Sequence, residues 1–185
     1  VFCAASILTN TATAWVNQIT AGRTVTLGVT SIQGGEAPNV IPDTADILGS
    51  LRFFNDEEGE KAVRIFKNVA EHTAAMNNCQ VQFDDRFCVL CAPVINDEYY
   101  SNLISAALPE VLLENVTVSS CEPWYASESF SCYRRICPSV LAHLGINNPS
   151  YGSGAAHHNG FFDVDEGVLS TGVIATLKFV AMLQK

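Results

Sequence analysis

The chain of 185 residues has few basic side chains and no long apolar run. Ten Lys and Arg residues are set against nineteen Asp and Glu residues, giving a formal net charge of −9. Because binding to a phosphate backbone depends on clustered Lys and Arg, this balance argues against nucleic acid as a partner. No run of 18 or more apolar residues occurs, so we expect no membrane partner. Hydrophobic residues make up 48% and charged residues 16%, which excludes a disordered chain and is typical of a well-buried protein.

A compact disulfide framework is also missing. The seven cysteines are an odd number and are scattered at positions 3, 79, 88, 91, 121, 132 and 137. This spacing favours reduced thiols, and we therefore expect a cytoplasmic location. Cys88-x-x-Cys91 is the one close pair, but neither a second zinc-ligand pair nor a helix start follows it. We interpret this pair as incidental, and a thiol or metal function centred on it is a minor alternative.

The first 87 residues follow the pattern of a small mixed domain. Asn55-x-x-Glu58 is a capping-box pattern, which indicates where a strongly amphipathic helix begins. Hydrophobic periodicity predicts the order helix, strand, strand, helix, strand, which is a ferredoxin-like unit without its first strand. A chain that begins with Val1 instead of Met is what a piece cut from a longer protein would show. The predicted elements are a helix over 2–21, strands over 24–32 and 47–54, the helix after 55, and a strand over 81–87.

From residue 88 the pattern changes to helices separated by longer loops. Asn96-Asp97 is a cap pattern before one predicted helix, and Asp163-x-x-Glu166 is a cap pattern before a long final helix. A polar, glycine-rich loop over 147–159 precedes the final helix. The remaining predictions are short strands over 116–119 and 140–144 and a short helix over 127–133.

Asn39 lies in the most unusual loop of the chain, residues 34–43, which joins the first two predicted strands. Two glycines and two prolines constrain the backbone on either side of this amide. Constrained loops of this kind position polar side chains for ligands, although an elaborate hairpin loop with no ligand explains the same ten residues equally well.

Four other polar residues are candidates for chemistry. Arg52 is a cation within an apolar strand, where it either pairs with an anion or extends its head group into solvent. Glu128 is either an acid at a helix start or an active-site carboxylate. His157-His158 occupies the glycine-rich loop, where one imidazole at most would serve a given metal ion because neighbouring extended residues point to opposite sides. We interpret the two remaining histidines, at positions 72 and 143, as structural.

Five segments together resemble the C-terminal half of the aminoacylase/carboxypeptidase-type zinc peptidase family. The closest branch is that of the amidohydrolases of N-acyl amino acids, such as hippurate hydrolase and the hydrolases of auxin–amino acid conjugates. The resemblance covers nearly the whole chain, in the correct order. The matching segments are Gly34-Gly35-x-Ala37-Pro38-Asn39-Val40-Ile41-Pro42-Asp43, Gly49-x-x-Arg52-x-Phe54, Pro93-Val94-x-Asn96-Asp97, Ser127-Glu128-x-Phe130, and His158-x-x-x-Phe162-Asp163-x-Asp165-Glu166.

The fold class that this resemblance implies is α/β with an α+β lid. Residues 1–87 would be the ferredoxin-like lid, which also serves for dimerisation, and residues 88–185 would be the C-terminal part of the catalytic domain. Family members use two divalent metal ions, zinc or manganese, and often form homodimers through the lid. The resemblance implies that His158 is a metal ligand and that Asn39, Arg52 and Glu128 contact substrate.

The implied reaction is hydrolysis of the amide bond of an N-acyl amino acid or a related conjugate. The family's other metal ligands and its general base lie in the N-terminal half, outside these 185 residues, so we predict that this chain alone is inactive. Two departures are visible: Asn159-Gly160 follows His158 where the family has Ser-Pro, and Ser129 stands where it has Asp. The alternative function is a non-catalytic interaction or dimerisation module of the lid type.

Overall fold

The computed structural model describes residues 1–84, 91–113 and 116–184. These residues divide into two compact units, one of residues 1–94 with 125–132, the other of residues 95–124 with those from 133 onward. The predicted domain boundary after residue 87, and Cys88 of the CxxC pair, lie outside the described residues. The first unit contains helix α1 (Phe2–Gln18), strands β1 (Val25–Gln33) and β2 (Asp46–Phe53), and helix α2 (Asp56–Met76). The second contains α3 (Glu98–Ala107) and α4 (Leu169–Leu183).

Strands β1 and β2 form a two-stranded antiparallel sheet with one β-bulge. Val29 pairs with Gly49, but Ser31 pairs with Leu48, so Thr30 is the extra residue. Side chains alternate between the two faces of a strand. The extra residue of the bulge therefore keeps the apolar side chains before it and after it on the same face of the sheet. The predicted helix–strand–strand–helix order, and with it the mixed fold class, is confirmed.

Helices α1 and α2 pack against each other and supply most of the core of the first unit. The indole N–H of Trp15 donates to the carbonyl of Ala62 over 3.3 Å, and the amide of Asn10 donates to the hydroxyl of Thr73 over 3.0 Å. Going along α1 from Asn10 to Trp15, the partner on α2 moves back from Thr73 to Ala62. The two helices are therefore antiparallel. Their buried apolar residues are mostly small, which lets the backbones approach closely: Ala4, Ile7, Ala62, Ile65, Ala70 and Ala74.

Helix α2 begins at half of the predicted capping box. The side chain of Asn55 accepts a hydrogen bond from the backbone N–H of Glu58 over 2.9 Å, as expected of an N-cap. The Glu58 carboxylate does not complete the box. It accepts instead from the hydroxyl and the backbone N–H of Thr20, after the end of α1.

Helix α3 in the second unit begins at the predicted cap. Asp97 accepts from the backbone N–H of Tyr100 over 3.0 Å. The side chain of Asn96 next to it binds both backbone groups of Leu141, at 2.9 Å to the carbonyl and 2.8 Å from the N–H. The Asn96 side chain thus bonds the backbone groups that a neighbouring strand would otherwise bond. The prediction of a strand over 140–144 is wrong. The described residues 81–84 and 116–119 are also outside any strand, and residues 85–87 are not described.

The final helix begins later than the sequence predicts. Asp165, and not Asp163, caps a 3₁₀ turn over Glu166–Val168 by accepting from the N–H of Gly167 over 2.9 Å. Lys178 of α4 forms an ion pair with Glu110 at 2.7 Å. No residue of α4 is buried in the structure. By length and composition alone, Glu166–Leu183 is apolar enough to cross a membrane, a test that core helices of soluble proteins also pass. The absence of a membrane partner therefore stays a prediction.

Candidate functional site

Asn39 occupies an exposed turn in the loop between β1 and β2. The backbone N–H of Val40 donates to the carbonyl of Ala37 over 3.3 Å, so Pro38 and Asn39 are the two central residues of the turn. Gly35 has φ +90°, which favours glycine, and a Cβ there would lie 3.7 Å from the ring of Pro42. The backbone of the loop is therefore constrained by glycine and proline, while the amide of Asn39 is accessible to a ligand.

Arg52 joins strand β2 to the segment that carries Glu128. Its guanidinium donates to the backbone carbonyl of Tyr125 over 2.6 Å. Nearby, the rings of Phe54 and Tyr125 meet edge to face with centroids 4.8 Å apart. Both contacts lie in the first unit, which includes residues 125–132. A guanidinium has five N–H donors, so this single bond leaves donors for a carboxylate.

Glu128 begins the 3₁₀ helix Ser129–Arg135, which confirms a short helix near the predicted position. Its carboxylate accepts from the backbone N–H of Phe130 over 3.1 Å and from the hydroxyl of Ser129 over 3.3 Å. The helix-start interpretation of this acid is thus observed directly. Contact with substrate stays a prediction for this residue.

The three candidates for substrate contact, Asn39, Arg52 and Glu128, are not equally close to one another. Arg52 and Glu128 are connected through Tyr125, only three residues before Glu128. The loop that carries Asn39 adjoins the first end of β2, whereas Arg52 lies near its other end, six residues beyond Asp46. At about 3.3 Å per residue the two strand ends are roughly 20 Å apart.

His158 has a strained backbone in the second unit. Its φ is +61°, a left-handed conformation that non-glycine residues adopt at a cost of about 1 kcal/mol or more. The side chain is exposed. The base of its loop is fixed by Asn148, whose amide donates to Asp165 over 2.7 Å, and by Ser153, which is buried and donates to the carbonyl of Ile146 over 3.0 Å.

His157 belongs to an aromatic cluster that the sequence does not reveal. Its ring lies 5.2 Å from the rings of both Trp124 and Phe162, and the indole also meets the ring of His143 at 5.3 Å. These residues come from three separate loops, so no spacing rule connects them. The cluster holds His157 through its ring, although both histidines are exposed.

The described residues do not form a metal centre. Within 1–84, 91–113 and 116–184, no three or more His, Cys, Asp and Glu side chains are grouped so as to hold a metal ion. One histidine cannot fix two divalent ions, which need several ligands in defined geometry. His158 as a metal ligand stays a prediction.

Comparison with known proteins identifies the class of domain first. Residues 8–77 match the family described as the peptidase dimerisation domain of M20 peptidases. This span covers most of α1, the β-hairpin and α2, and the resemblance predicted from the sequence is confirmed. Within the first unit, residues 8–77 are therefore similar to a peptidase dimerisation domain.

Relatives extend the likeness beyond this domain. The chain is 28% identical over 147 residues to IAA-amino acid hydrolase ILR1-like 4 of Arabidopsis thaliana, an alignment that covers 78% of this chain and 33% of the relative. It is 28% identical over 153 residues to thermostable carboxypeptidase 2 of Saccharolobus solfataricus, covering 80% and 37%. N-acetylcysteine deacetylase of Bacillus subtilis is 28% identical over 144 residues, covering 78% and 35%. The chain spans about a third of the length of these curated relatives.

A solved structure has the same fold over nearly the whole chain. The Bacillus subtilis YXEP protein, described as a dinuclear metal binding peptidase from the M20 family, matches with a TM-score of 0.75 and 22% identity. The match covers 99% of this chain and 45% of that one. The fold is therefore that of M20 family members, including their lid.

Proposed function

We propose that this chain is the lid and C-terminal part of a metal-dependent amidohydrolase that cleaves the amide bond of N-acyl amino acids or related conjugates. The observation that carries the proposal is the alignment of about four fifths of the chain with proteins named as hydrolases of such compounds. A cytoplasmic location is part of this proposal.

The lid residues have suitable chemistry for this substrate class. The exposed amide of Asn39 can donate to a carbonyl or carboxylate oxygen, and the remaining N–H groups of Arg52 suit the substrate carboxylate. Two metal ions, zinc or manganese, would supply an activated water and polarise the amide carbonyl. Because the described residues do not form such a centre, we expect this chain alone to be inactive.

The test compares this chain with the protein encoded when the reading frame is extended ahead of Val1. Both are assayed for release of free amino acid from N-acetyl, benzoyl and indoleacetyl amino acids, with zinc or manganese added. The chain alone is expected to be inactive, and turnover by it would disprove that expectation. The extended protein is expected to hydrolyse at least one substrate. Failure on all of them would refute the hydrolase proposal.

The residue-level test uses two histidine variants of the extended protein. His158→Ala is expected to lower turnover at least a hundredfold and to reduce the bound metal measured by elemental analysis. His72→Ala is the matched control, because this exposed histidine lies on α2 and, among the described residues, bonds the Asn68 carbonyl of its own helix at 2.7 Å. Equal activity and metal content in both variants would contradict a ligand role for His158.

The second candidate is a dimerisation module that acts without catalysis. The match of residues 8–77 to a dimerisation domain supports a homodimer, and exposed apolar side chains in that span, such as Val16 at 85% and Leu48 at 54%, need a partner to be covered. Light scattering after size exclusion is expected to give twice the mass of the chain. A monomer at high protein concentration would contradict dimerisation, and an open reading frame that starts at this chain would favour the module over the enzyme.

A further inference from the structure

We propose that Cys3 and Cys79 form a redox-responsive thiol pair, which a low-molecular-weight disulfide such as glutathione disulfide converts into a disulfide bond between α1 and the end of α2. The pair is separated by 76 positions in sequence. It is independent of the hydrolase proposal and of the CxxC motif, and the folding of the dimerisation domain brings it together.

The register of the two helices places these cysteines at the same end of the helix pair. Asn10 of α1 contacts Thr73 of α2 through a hydrogen bond of 3.0 Å. From Asn10 back to Cys3 is seven residues, or about 10 Å and close to two full turns, so Cys3 lies on the same face of α1 as Asn10. From Thr73 forward to Met76, the last residue of α2, is three residues, or about 4.5 Å, and Cys79 follows three residues later. Since the helices are antiparallel, both displacements run in the same direction, toward the first turn of α1 and the C-terminal end of α2.

The end of α2 fixes the position of Cys79. Asn78 has φ +53°, and its N–H donates to the carbonyl of Ala75 over 3.1 Å. The N–H of Cys79 donates to the carbonyl of Ala74 over 2.9 Å. These two bonds and the left-handed residue make a Schellman motif, which reverses the chain at the helix end. Cys79 is therefore held at a defined place and does not lie on a loose tail.

The two thiols already interact. The thiol of Cys79 donates to the carbonyl of Asn77 over 3.4 Å and lies close enough to Cys3 to act on its ionisation, and both are free thiols in the structure. Burial, and then the neighbouring thiol, raise the pKa of Cys3 above its ordinary value. Cys3 is half-buried in the first turn of α1, whereas Cys79 is exposed. The exposed thiol is thus the one that a soluble disulfide reaches first.

The oxidation proceeds by two exchange steps. The thiolate of Cys79 attacks one sulfur of glutathione disulfide, forming a mixed disulfide and releasing one glutathione thiolate. The Cys3 thiol then loses its proton to solvent and attacks the Cys79 sulfur of the mixed disulfide, which releases the second glutathione thiolate. The two cysteines lose two electrons in total, and one glutathione disulfide gains them to become two glutathiones.

The test is mass spectrometry of the whole chain after incubation with millimolar glutathione disulfide. Free thiols are then alkylated and the chain is cut with trypsin. Cleavage after Lys and Arg yields peptides 1–23 and 68–86, each with a single cysteine. A disulfide that links these two peptides can therefore join only Cys3 and Cys79. We expect this linked pair to dominate, and we expect the oxidised chain to melt about 5 °C or more above the reduced chain.

Three variants, checked for folding by circular dichroism, complete the test. Cys3→Ser is expected to stop at a glutathione adduct on Cys79, and Cys79→Ser is expected to show neither the link nor a comparable adduct on Cys3. Cys121→Ser removes an exposed cysteine of the second unit and is expected to leave the link intact. A wild-type chain that retains glutathione on Cys79 without linking, or that links as well in denaturant as when folded, would overturn the proposal.

Discussion

Gly59 is the position where a single methyl group is expected to have the largest effect on the first unit. It lies in the first turn of α2 and is buried. A Cβ at Gly59 would lie 2.5 Å from the Cγ and Cδ2 atoms of the Phe53 ring, at the end of β2. This separation is well below van der Waals contact, and the atoms concerned are the near part of a ring that cannot swing away freely.

Two opposing effects determine the stability of Gly59→Ala. Alanine is better than glycine within a helix by about 1 kcal/mol. Overpacking a well-packed site costs about 1–3 kcal/mol, and a contact this short belongs at the upper end. We therefore expect Gly59→Ala to lower the free energy of unfolding by about 2 kcal/mol, although the same change stabilises most helices.

Urea denaturation followed by circular dichroism measures this loss. Gly172→Ala in α4 is the control, because a Cβ there would be 3.3 Å from one methyl of Leu144, and the variant is expected to be neutral or slightly stabilised. In a double-mutant cycle, Phe53→Leu should recover part of the loss caused by Gly59→Ala. A neutral or stabilising Gly59→Ala would refute the packing argument.

Three further predictions concern hydrogen bonds and backbone conformation. Hydrogen bonds from the hydroxyl and N–H of Thr20 hold the pKa of Glu58 below its usual range. The stability that these bonds contribute is fully present above the unfolded-state pKa of about 4.3. It is lost as the pH falls through the lower pKa of Glu58 in the folded protein. Thr20→Val should therefore move the midpoint of acid unfolding to higher pH, and an unchanged midpoint would contradict this. Asn78→Gly should be neutral or slightly stabilising in thermal unfolding, because glycine readily adopts the φ of +53° found at this position. Asn78→Val should lower the free energy of unfolding by about 1–2 kcal/mol, because a branched side chain is strained there. Equal stability of the two variants would argue against the left-handed cap. Asn96→Ala should cost about 1 kcal/mol by removing both bonds to Leu141, while Asn96→Asp, which keeps the acceptor, should cost less in the same urea titration.

The elements of the first unit were predictable because their signals are local. Alternation over β1 and β2 and the cap at Asn55 depend on residues within a few positions of each other. The strands predicted over 116–119 and 140–144 failed for the opposite reason. A strand exists only where a partner binds its backbone, and at Leu141 the partner is the side chain of Asn96.

The candidate site also combines features that are local in sequence with contacts that are not. The motif residues and their resemblance to a family were visible in the sequence, and comparison with relatives confirms that family. The bond from Arg52 to the Tyr125 carbonyl was not visible, since it crosses 73 positions, and neither was the left-handed backbone of His158. Long-range contacts depend on which surfaces meet after folding, and no fixed spacing encodes them.

By itself the sequence determined the helices, the hairpin, most of the caps and the kind of protein to which the chain is related, because turn chemistry and periodicity act between near neighbours. Only the tertiary structure decided which partner each polar group takes. Glu58 bonds Thr20 instead of closing its own capping box, and Cys3 and Cys79 lie at the same end of a helix pair. The physical reason is that antiparallel packing of α1 on α2 brings together residues that are far apart along the chain.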